Sequence, residues 1–171
     1  MRLKRPTGTA VLVLAALPGA CRSPDPRTVL EVTDVETYWA IDPAQGDTQY
    51  IAPVVRFEVH NNGTRDQRTV EAQVTFRRKG EDAIWSSAWR RVAAPGDKLL
   101  PAGSRALVVL KPEGEGRYFS TGPPESMFRH ERFRDATVEV FLRIGSSRWT
   151  RFATADVERR IGARSVQAAG H

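Results

Sequence analysis

The feature that most constrains the fold of this chain is an alternation of apolar and polar residues with a period of two. Val55, Phe57 and Val59 share one parity, and polar residues occupy the other. Successive side chains of a β-strand point to opposite faces, so this pattern predicts strands with one buried face and one solvated face. The same alternation recurs in residues 70–78 and 136–144, which indicates an all-β protein.

Turn residues divide the 171-residue chain into about seven predicted strands. Several short strands separated by turns favour a sandwich or a barrel, and this number favours an immunoglobulin-like antiparallel β-sandwich. In residues 28–41 the apolar parity changes by one residue after Val32, which predicts a β-bulge. The predicted strands are residues 28–41, 51–60, 70–78, 84–92, 106–110, 136–144 and 148–155.

Residues 111–134 show no alternation and are rich in glycine and proline. We predict one long loop here, in which Pro124 opens a short helix, because proline suits a first helical turn. Long loops in compact domains are usually functional or disordered. The β-sandwich domain is predicted to span residues 28–158, and residues 159–171 are predicted to form a flexible C-terminal tail because they lack a core pattern.

The N-terminus carries a targeting pattern. Three basic residues precede an uninterrupted apolar run at residues 10–17, and small residues follow it. This arrangement is typical of a secretory signal peptide, here residues 1–20. The apolar run is too short for a spanning helix, which needs about 20 residues.

The segment 17–21 resembles a bacterial lipobox, in which a cysteine directly follows the cleavage point and receives diacylglycerol on its sulfur. Cys21 is the single cysteine of the chain. The resemblance implies lipidation at Cys21, with residues 21–27 as the lipidated cysteine and tether, and an anchor in the bilayer of the bacterial envelope facing the periplasm. In the sorting rules of enteric bacteria, an aspartate directly after the lipidated cysteine retains a lipoprotein in the inner membrane. Arg22 occupies that position here, so by analogy the outer membrane is favoured. Pro18 departs from the pattern, and cleavage nearby by an ordinary signal peptidase is the alternative.

The net charge of +6 does not predict nucleic-acid binding. Without the first twenty residues, 23 basic and 20 acidic residues remain, so part of the excess belongs to the targeting segment. Nucleic-acid recognition requires a basic stripe on one face. The remaining basic residues instead alternate with acidic and apolar residues along the predicted strands.

The sequence contains no recognisable catalytic constellation, metal site or cofactor motif, and we expect no enzyme activity. The three histidines, His60, His130 and His171, lack the paired spacing of metal ligands. We interpret His60 as a solvated residue at a strand end. A hydrolase is a lesser alternative, which requires a pocket that gathers His130, an acid and a serine.

Two segments resemble small immunoglobulin-like modules of bacterial surface and periplasmic proteins, the CARDB and FxLYD types. Residues 54–63 form an apolar strand that ends in Asn-Asn-Gly, and residues 100–104 read Leu-Pro-Ala-Gly-Ser before another strand. The resemblance covers residues 51–110 and implies an adhesion or assembly module without catalytic residues. The long segment 111–134 is not part of that pattern.

We therefore expect an envelope lipoprotein whose β-sandwich binds a partner protein or helps to assemble a complex. Aromatic residues and arginine are enriched at binding hot spots, and the candidate contact residues are Tyr118, Phe119, Phe128 and Arg129. The alternative function is glycan binding, with Trp85 and Trp89 exposed on one strand face as stacking platforms.

Overall fold

The computed structural model describes residues 25–162, except 46, 47, 95, 97 and 121. The predicted signal peptide, Cys21 and residues 163–171 lie outside the described residues, as does His171. Eight strands make up most of the described chain: β1 (Leu30–Gln45), β2 (Thr48–Asn61), β3 (Val70–Arg78), β4 (Ser86–Val92), β5 (Arg105–Leu110), β6 (Tyr118–Ser120), β7 (Ala136–Ile144) and β8 (Thr150–Asp156). Two 3₁₀ helices span Pro26–Thr28 and Pro124–Arg129.

The strands form two antiparallel sheets of four strands each. In the first sheet β2 lies between β1 and β5, and β6 also pairs with β2; in the second sheet the order is β4-β3-β7-β8. The division that places β3, β4, β7 and β8 in one sheet and β1, β2 and β5 in the other is that of an immunoglobulin-like sandwich. The predicted all-β sandwich is confirmed, with eight strands in place of about seven because β6 was not foreseen.

The core lies between the sheets and follows the alternation of the sequence. In β3 the even-numbered residues from Val70 to Phe76 are fully buried, and in β7 the even-numbered residues from Ala136 to Leu142 are fully buried. Phe57 and Val59 of β2 meet them from the first sheet and have no exposed surface. Each buried side chain of this size stabilises the fold by about 1.5–3 kcal/mol relative to an exposed one.

The predicted bulge lies in β1. The pairing with β2 shifts register between Thr33 and Glu36, so that two residues of β1 face a single residue of β2. The first of the two, Asp34, has a φ of 52°, in the left-handed region that aspartate tolerates better than most residues. The extra residue moves the apolar parity from even to odd positions, which brings Trp39 into the core.

Residues 111–134 are not one irregular loop, and in this the prediction is corrected. Tyr118, Phe119 and Ser120 pair with Ile51, Tyr50 and Gln49 of β2. They occupy the edge of β2 that β5 leaves open, since β5 pairs only with residues 55–60. Three residues are too few to show alternation, so the sequence pattern does not reveal this strand. The short helix predicted at Pro124 is present as a 3₁₀ helix.

Two boundaries differ from those predicted. The first two strands extend past their predicted ends at residues 41 and 51, because β1 continues to Gln45 and β2 begins at Thr48. At the C-terminal end, residues 160–162 pair with β1: the Trp39 N–H donates to Arg160 O at 2.9 Å, and the Gly162 N–H donates to Trp39 O at 2.9 Å. The contacts of the sandwich therefore extend past residue 158. Across the described residues, no helix is long and apolar enough to cross a membrane.

Candidate binding groove

An aromatic cluster fills the end of the sandwich beneath β6. It consists of Trp39, Trp85, Tyr118, Phe128 and Phe133. Trp39 has no exposed surface, and its ring centroid lies 5.2 Å from that of Phe133, 5.8 Å from Tyr118 and 6.3 Å from Trp85. Within the described chain the Trp39 indole N–H has no hydrogen-bond acceptor. Tilted ring pairs at these distances stabilise by about 0.5–1.5 kcal/mol each beyond their buried area.

The cluster holds two of the four predicted contact residues. Tyr118 and Phe128 are half-buried and pack against Trp39. The Tyr118 hydroxyl accepts a hydrogen bond from Arg134 N at 3.1 Å and lies 3.2 Å from Arg134 O, to which it donates. Tyr118 and Phe128 therefore connect residues 118–134 to the core, which is a structural role that the sequence pattern did not reveal.

Phe119 and Arg129, the other two predicted contact residues, are exposed. Alternation along β6 turns Phe119 away from the core, and 68% of its surface is accessible. Its ring centroid lies 6.5 Å from that of Tyr50, which supports it from β2. Arg129 ends the 3₁₀ helix and projects to solvent.

A groove of about 580 Å³ lies between the β3–β4 turn and residues 117–132. Its apolar part consists of Trp85, Tyr118, Phe119 and Met127, and its charged rim carries arginines from three different segments. The groove is partly closed at its base by the aromatic cluster, because Trp85 and Tyr118 belong to both. The remaining lining residues are Arg78, Arg117, His130, Glu131 and Arg132.

The groove carries an excess of positive charge. Three arginines line it against one carboxylate, Glu131, among the residues that the structure describes. The guanidinium of Arg117 lies 4.3 Å from the centroid of the Tyr50 ring, and that of Arg78 lies 5.7 Å from the Trp85 ring. Arg78 also forms an ion pair with Glu81 at 2.8 Å. A guanidinium keeps its charge when it stacks over a ring, and arginine binds carboxylates through charge-assisted hydrogen bonds, so the composition of the rim suits acidic groups.

The sequence pattern does not reveal the three arginines of the groove. They lie far apart in the chain, at positions 78, 117 and 132, and the tertiary structure brings them together. The one available signal was the aromatic residue near each of them, such as Trp85 near Arg78. That signal is weak, because aromatic residues usually fill a core.

The histidines do not form a hydrolytic site within the described chain. His130 lies in the groove beside Glu131, and its Nδ1 accepts a hydrogen bond from Arg132 N at 3.1 Å. No serine lines the groove among the described residues, so the grouping of His130, an acid and a serine that the hydrolase alternative calls for is not found there. The described ranges contain no group of three or more histidine, cysteine, aspartate or glutamate side chains that could hold a metal ion.

His60 lies at the end of β2 as predicted, but it is not a solvated edge residue, because only 16% of its side chain is accessible. It lies in β2, between β1 and β5, and its Nε2 is 3.2 Å from Thr33 Oγ1 and 3.3 Å from Glu58 Oε2. The Asn-Asn-Gly turn follows it directly, which gave it the sequence context of a strand end. The central position of β2 results from pairing with β5, which is distant in sequence.

Trp85 and Trp89 do not share a strand face. Their spacing of four predicts one face, but β4 begins only at Ser86, and Trp85 turns into the aromatic cluster. Trp89 lies on the outer face of the second sheet with 68% of its surface accessible. The predicted pair of stacking platforms is therefore incorrect for Trp85, because the Trp85 side chain packs against Trp39.

An ion pair closes the end of the domain next to the cluster. Arg159 contacts Asp135 through two hydrogen bonds, at 2.7 and 2.8 Å, and its guanidinium lies 5.5 Å from the Phe133 ring. The hydrogen bond from Arg159 lowers the pKa of Asp135, against the effect of partial burial. The same hydrogen bond raises the pKa of Arg159. The pair therefore links Arg159, which follows β8, to the residue directly before β7.

No family model matches this sequence, and no curated protein matches it. Among solved structures, a glycoside hydrolase family 2 β-glucuronidase has 13% identity and a TM-score of 0.43 over 74% of this chain and 12% of its own. A Bacteroides uniformis β-glucuronidase has 15% identity and a TM-score of 0.42 over 75% of this chain and 12% of its own. A Northeast Structural Genomics Consortium target has 8% identity and a TM-score of 0.42 over 84% and 94% of the two chains. Scores of this size do not establish a common function.

Proposed function

We propose that this chain is a bacterial envelope lipoprotein, anchored through Cys21, whose β-sandwich binds a protein partner at the groove between the β3–β4 turn and residues 117–132. The observation that carries the partner site is Phe119. Its ring is 68% exposed at the edge of a groove that three arginines line. An exposed aromatic residue beside arginines is the composition of an interaction hot spot.

The site is preorganised for binding. Phe119 is held by the β-ladder between β6 and β2, and Tyr118 at the preceding position is fixed in the aromatic cluster. The backbone of a paired strand is already ordered before binding, so less of the contact energy is spent on ordering it. This preorganisation favours a binding surface over a passive connection.

The charge of the groove defines the partner. Arg78, Arg117 and Arg132 face a single lining carboxylate, and the floor is apolar. The complementary ligand is a protein segment that places an apolar side chain in the groove and carboxylates against the rim. Opposite charges across such an interface raise the association rate and exclude partners of like charge.

Photo-crosslinking in the native cells tests the partner site. A photoreactive phenylalanine analogue replaces Phe119 in the full-length chain, and in a matched variant it replaces Trp89, which is equally exposed on another face. We expect a protein adduct from position 119 only, and we expect Arg132→Glu to abolish it by charge repulsion. The control Arg148→Glu reverses an exposed arginine outside the groove and should leave the adduct in place. An adduct that survives Arg132→Glu, or none from position 119, contradicts the proposed site.

Mass spectrometry of the mature protein tests the anchor separately. The lipobox resemblance implies an N-terminal cysteine that carries diacylglycerol on its sulfur, and the outer membrane as its location. We expect the Cys21→Ser variant to lose this mass and to leave the membrane fraction. An unmodified Cys21 in the mature wild-type protein, or cleavage at another position, contradicts anchoring but leaves the partner site untouched.

A further inference from the structure

The outer face of the second sheet carries a cleft that the groove does not explain. Its volume is about 240 Å³, and two tryptophans form its walls, Trp89 from β4 and Trp149 just before β8. Glu71, Gln73 and Arg143 form the rest of the lining. From this composition we propose that the cleft binds one pyranose ring of a neutral glycan chain.

Trp89 has no structural role in the sandwich that would account for it. It pairs with Gln73 across β3 and β4, and that parity points away from the core, so that 68% of its surface is accessible. A single exposed apolar ring is common on protein surfaces, but Trp89 borders the same cleft as a second tryptophan, Trp149. Two rings at one cleft point to a ligand with an apolar face.

Trp149 is held in a fixed orientation. The guanidinium of Arg143 lies 4.5 Å from the centroid of its ring, in a cation–π contact. Arg143 in turn hydrogen-bonds Glu71, its neighbour across β3 and β7. The chain of contacts from Glu71 through Arg143 to Trp149 fixes one wall of the cleft, and Trp89 forms the opposite, freely exposed wall.

The polar groups of the cleft select an uncharged ligand. Glu71 and Arg143 neutralise each other, so a charged ligand would gain little and would have to compete with an existing ion pair. Their outward atoms and the amide of Gln73, which both donates and accepts, suit hydroxyl groups. A pyranose combines such hydroxyl groups at its edge with C–H groups on its faces, which stack on aromatic rings. Because the Arg143 guanidinium covers one face of Trp149, Trp89 offers the open stacking surface, and the volume of about 240 Å³ suits a single sugar ring.

The experiment measures retention of the full-length chain, solubilised in mild detergent, on insoluble cellulose and on insoluble chitin, whose chains are uncharged. We expect retention on at least one of these polysaccharides, and we expect Trp89→Ala and Trp149→Ala to weaken it by at least about tenfold. Trp89→Phe, which keeps a smaller ring, should retain part of the binding. No retention on any polysaccharide, or retention unchanged in Trp89→Ala, overturns the proposal.

Phe119→Ala serves as the matched control, because Phe119 is exposed to the same extent as Trp89 but lies at the groove. It should leave retention on the polysaccharide unchanged, whereas Trp89→Ala should leave the photo-crosslinked adduct at the groove unchanged. The two sites thus fail independently. Loss of retention in Phe119→Ala as well would show that the cleft is not the binding site, and would overturn the proposal.

Discussion

The side-chain amide of Asn61 donates a hydrogen bond to the main-chain carbonyl of Leu100, 3.0 Å away. It also reaches the carbonyls of Pro101 and Arg65, at 3.0 and 2.9 Å, and its oxygen accepts from the Gly63 N–H at 3.1 Å. Asn61 is fully buried. One side chain thus ties the end of β2 to the turn that precedes β5, 39 residues later in the chain.

Replacement of Asn61 by alanine should destabilise the domain strongly. The change removes four hydrogen bonds made by a buried side chain, including the one that the Gly63 N–H donates to it, and we expect a loss of about 2–4 kcal/mol in the free energy of unfolding. Urea denaturation followed by tryptophan fluorescence measures this loss. The matched control is Asn62→Ala, because Asn62 is exposed and its side chain contacts only Glu31; its effect should stay within about 0.5 kcal/mol. Equal effects in the two variants would show that the buried amide is not the stabilising group.

Gly116 and Gly114 separate the effect of crowding from that of backbone conformation. Both have positive φ, at 87° and 79°, where a side chain costs about 1–2 kcal/mol. A Cβ on Gly114 would meet open space, whereas one on Gly116 would overlap the Ser86 side chain. We expect Gly114→Ala to cost about 1 kcal/mol and Gly116→Ala to cost clearly more, about 3 kcal/mol. Thermal unfolding compares the two, and equal shifts would contradict the close packing of residues 112–117 on β4.

Replacement of Tyr118 by alanine should mainly lower stability, whereas replacement of Phe119 by alanine should mainly weaken partner binding. Tyr118→Ala removes a ring from the aromatic cluster and a hydroxyl that bonds Arg134, so we expect a loss of about 2–3 kcal/mol. Phe119→Ala removes an exposed ring and should cost no more than about 0.5 kcal/mol, while it reduces capture of the partner protein in pull-downs from envelope extracts. Urea denaturation of both variants tests this division. A large loss in Phe119→Ala would mean that Phe119 supports the fold.

The ion pair between Asp135 and Arg159 should make stability fall in acid. The hydrogen bond from Arg159 lowers the pKa of Asp135, and hydrogen bonds from Arg151 and Arg77 lower that of Glu139. A carboxyl whose pKa is lower in the folded than in the unfolded chain stabilises the fold above about pH 4, and this contribution disappears as the pH falls through the folded-state value.

The variant Asp135→Asn tests that dependence. We expect it to be less stable than the wild type at pH 7, and we expect the difference to shrink as the pH falls through the lowered pKa of Asp135, because the wild-type carboxylate then loses its charge as well. Unfolding free energies measured from pH 7 to pH 2 give the comparison. Asp82→Asn, at an exposed turn position, shows the effect of removing a charge elsewhere. A difference between Asp135→Asn and the wild type that stays constant across this range would contradict the assignment.

Local pattern was enough to predict the strands and the bulge, because each depends on side chains close together in sequence. The parity change after Val32 in β1 is visible in the chain itself, and so is the burial of Val70 to Phe76. The candidate site was less accessible to such reasoning. Phe119 and Arg129 are exposed as expected, but Tyr118 and Phe128 look the same in sequence and pack inside.

The sequence by itself determined that the chain folds into antiparallel strands with one buried face, since period-two alternation fits no other regular structure. It also predicted a signal peptide and Cys21 as an anchor, which lie outside the described residues. Only the tertiary structure decided that β6 pairs with β2 and that Arg78, Arg117 and Arg132 line one groove. It also decided that Trp89 lines a cleft with Trp149 and not with Trp85. These relationships depend on which strands become neighbours, and the hydrogen bonds of a sheet edge are made by backbone groups that every sequence carries.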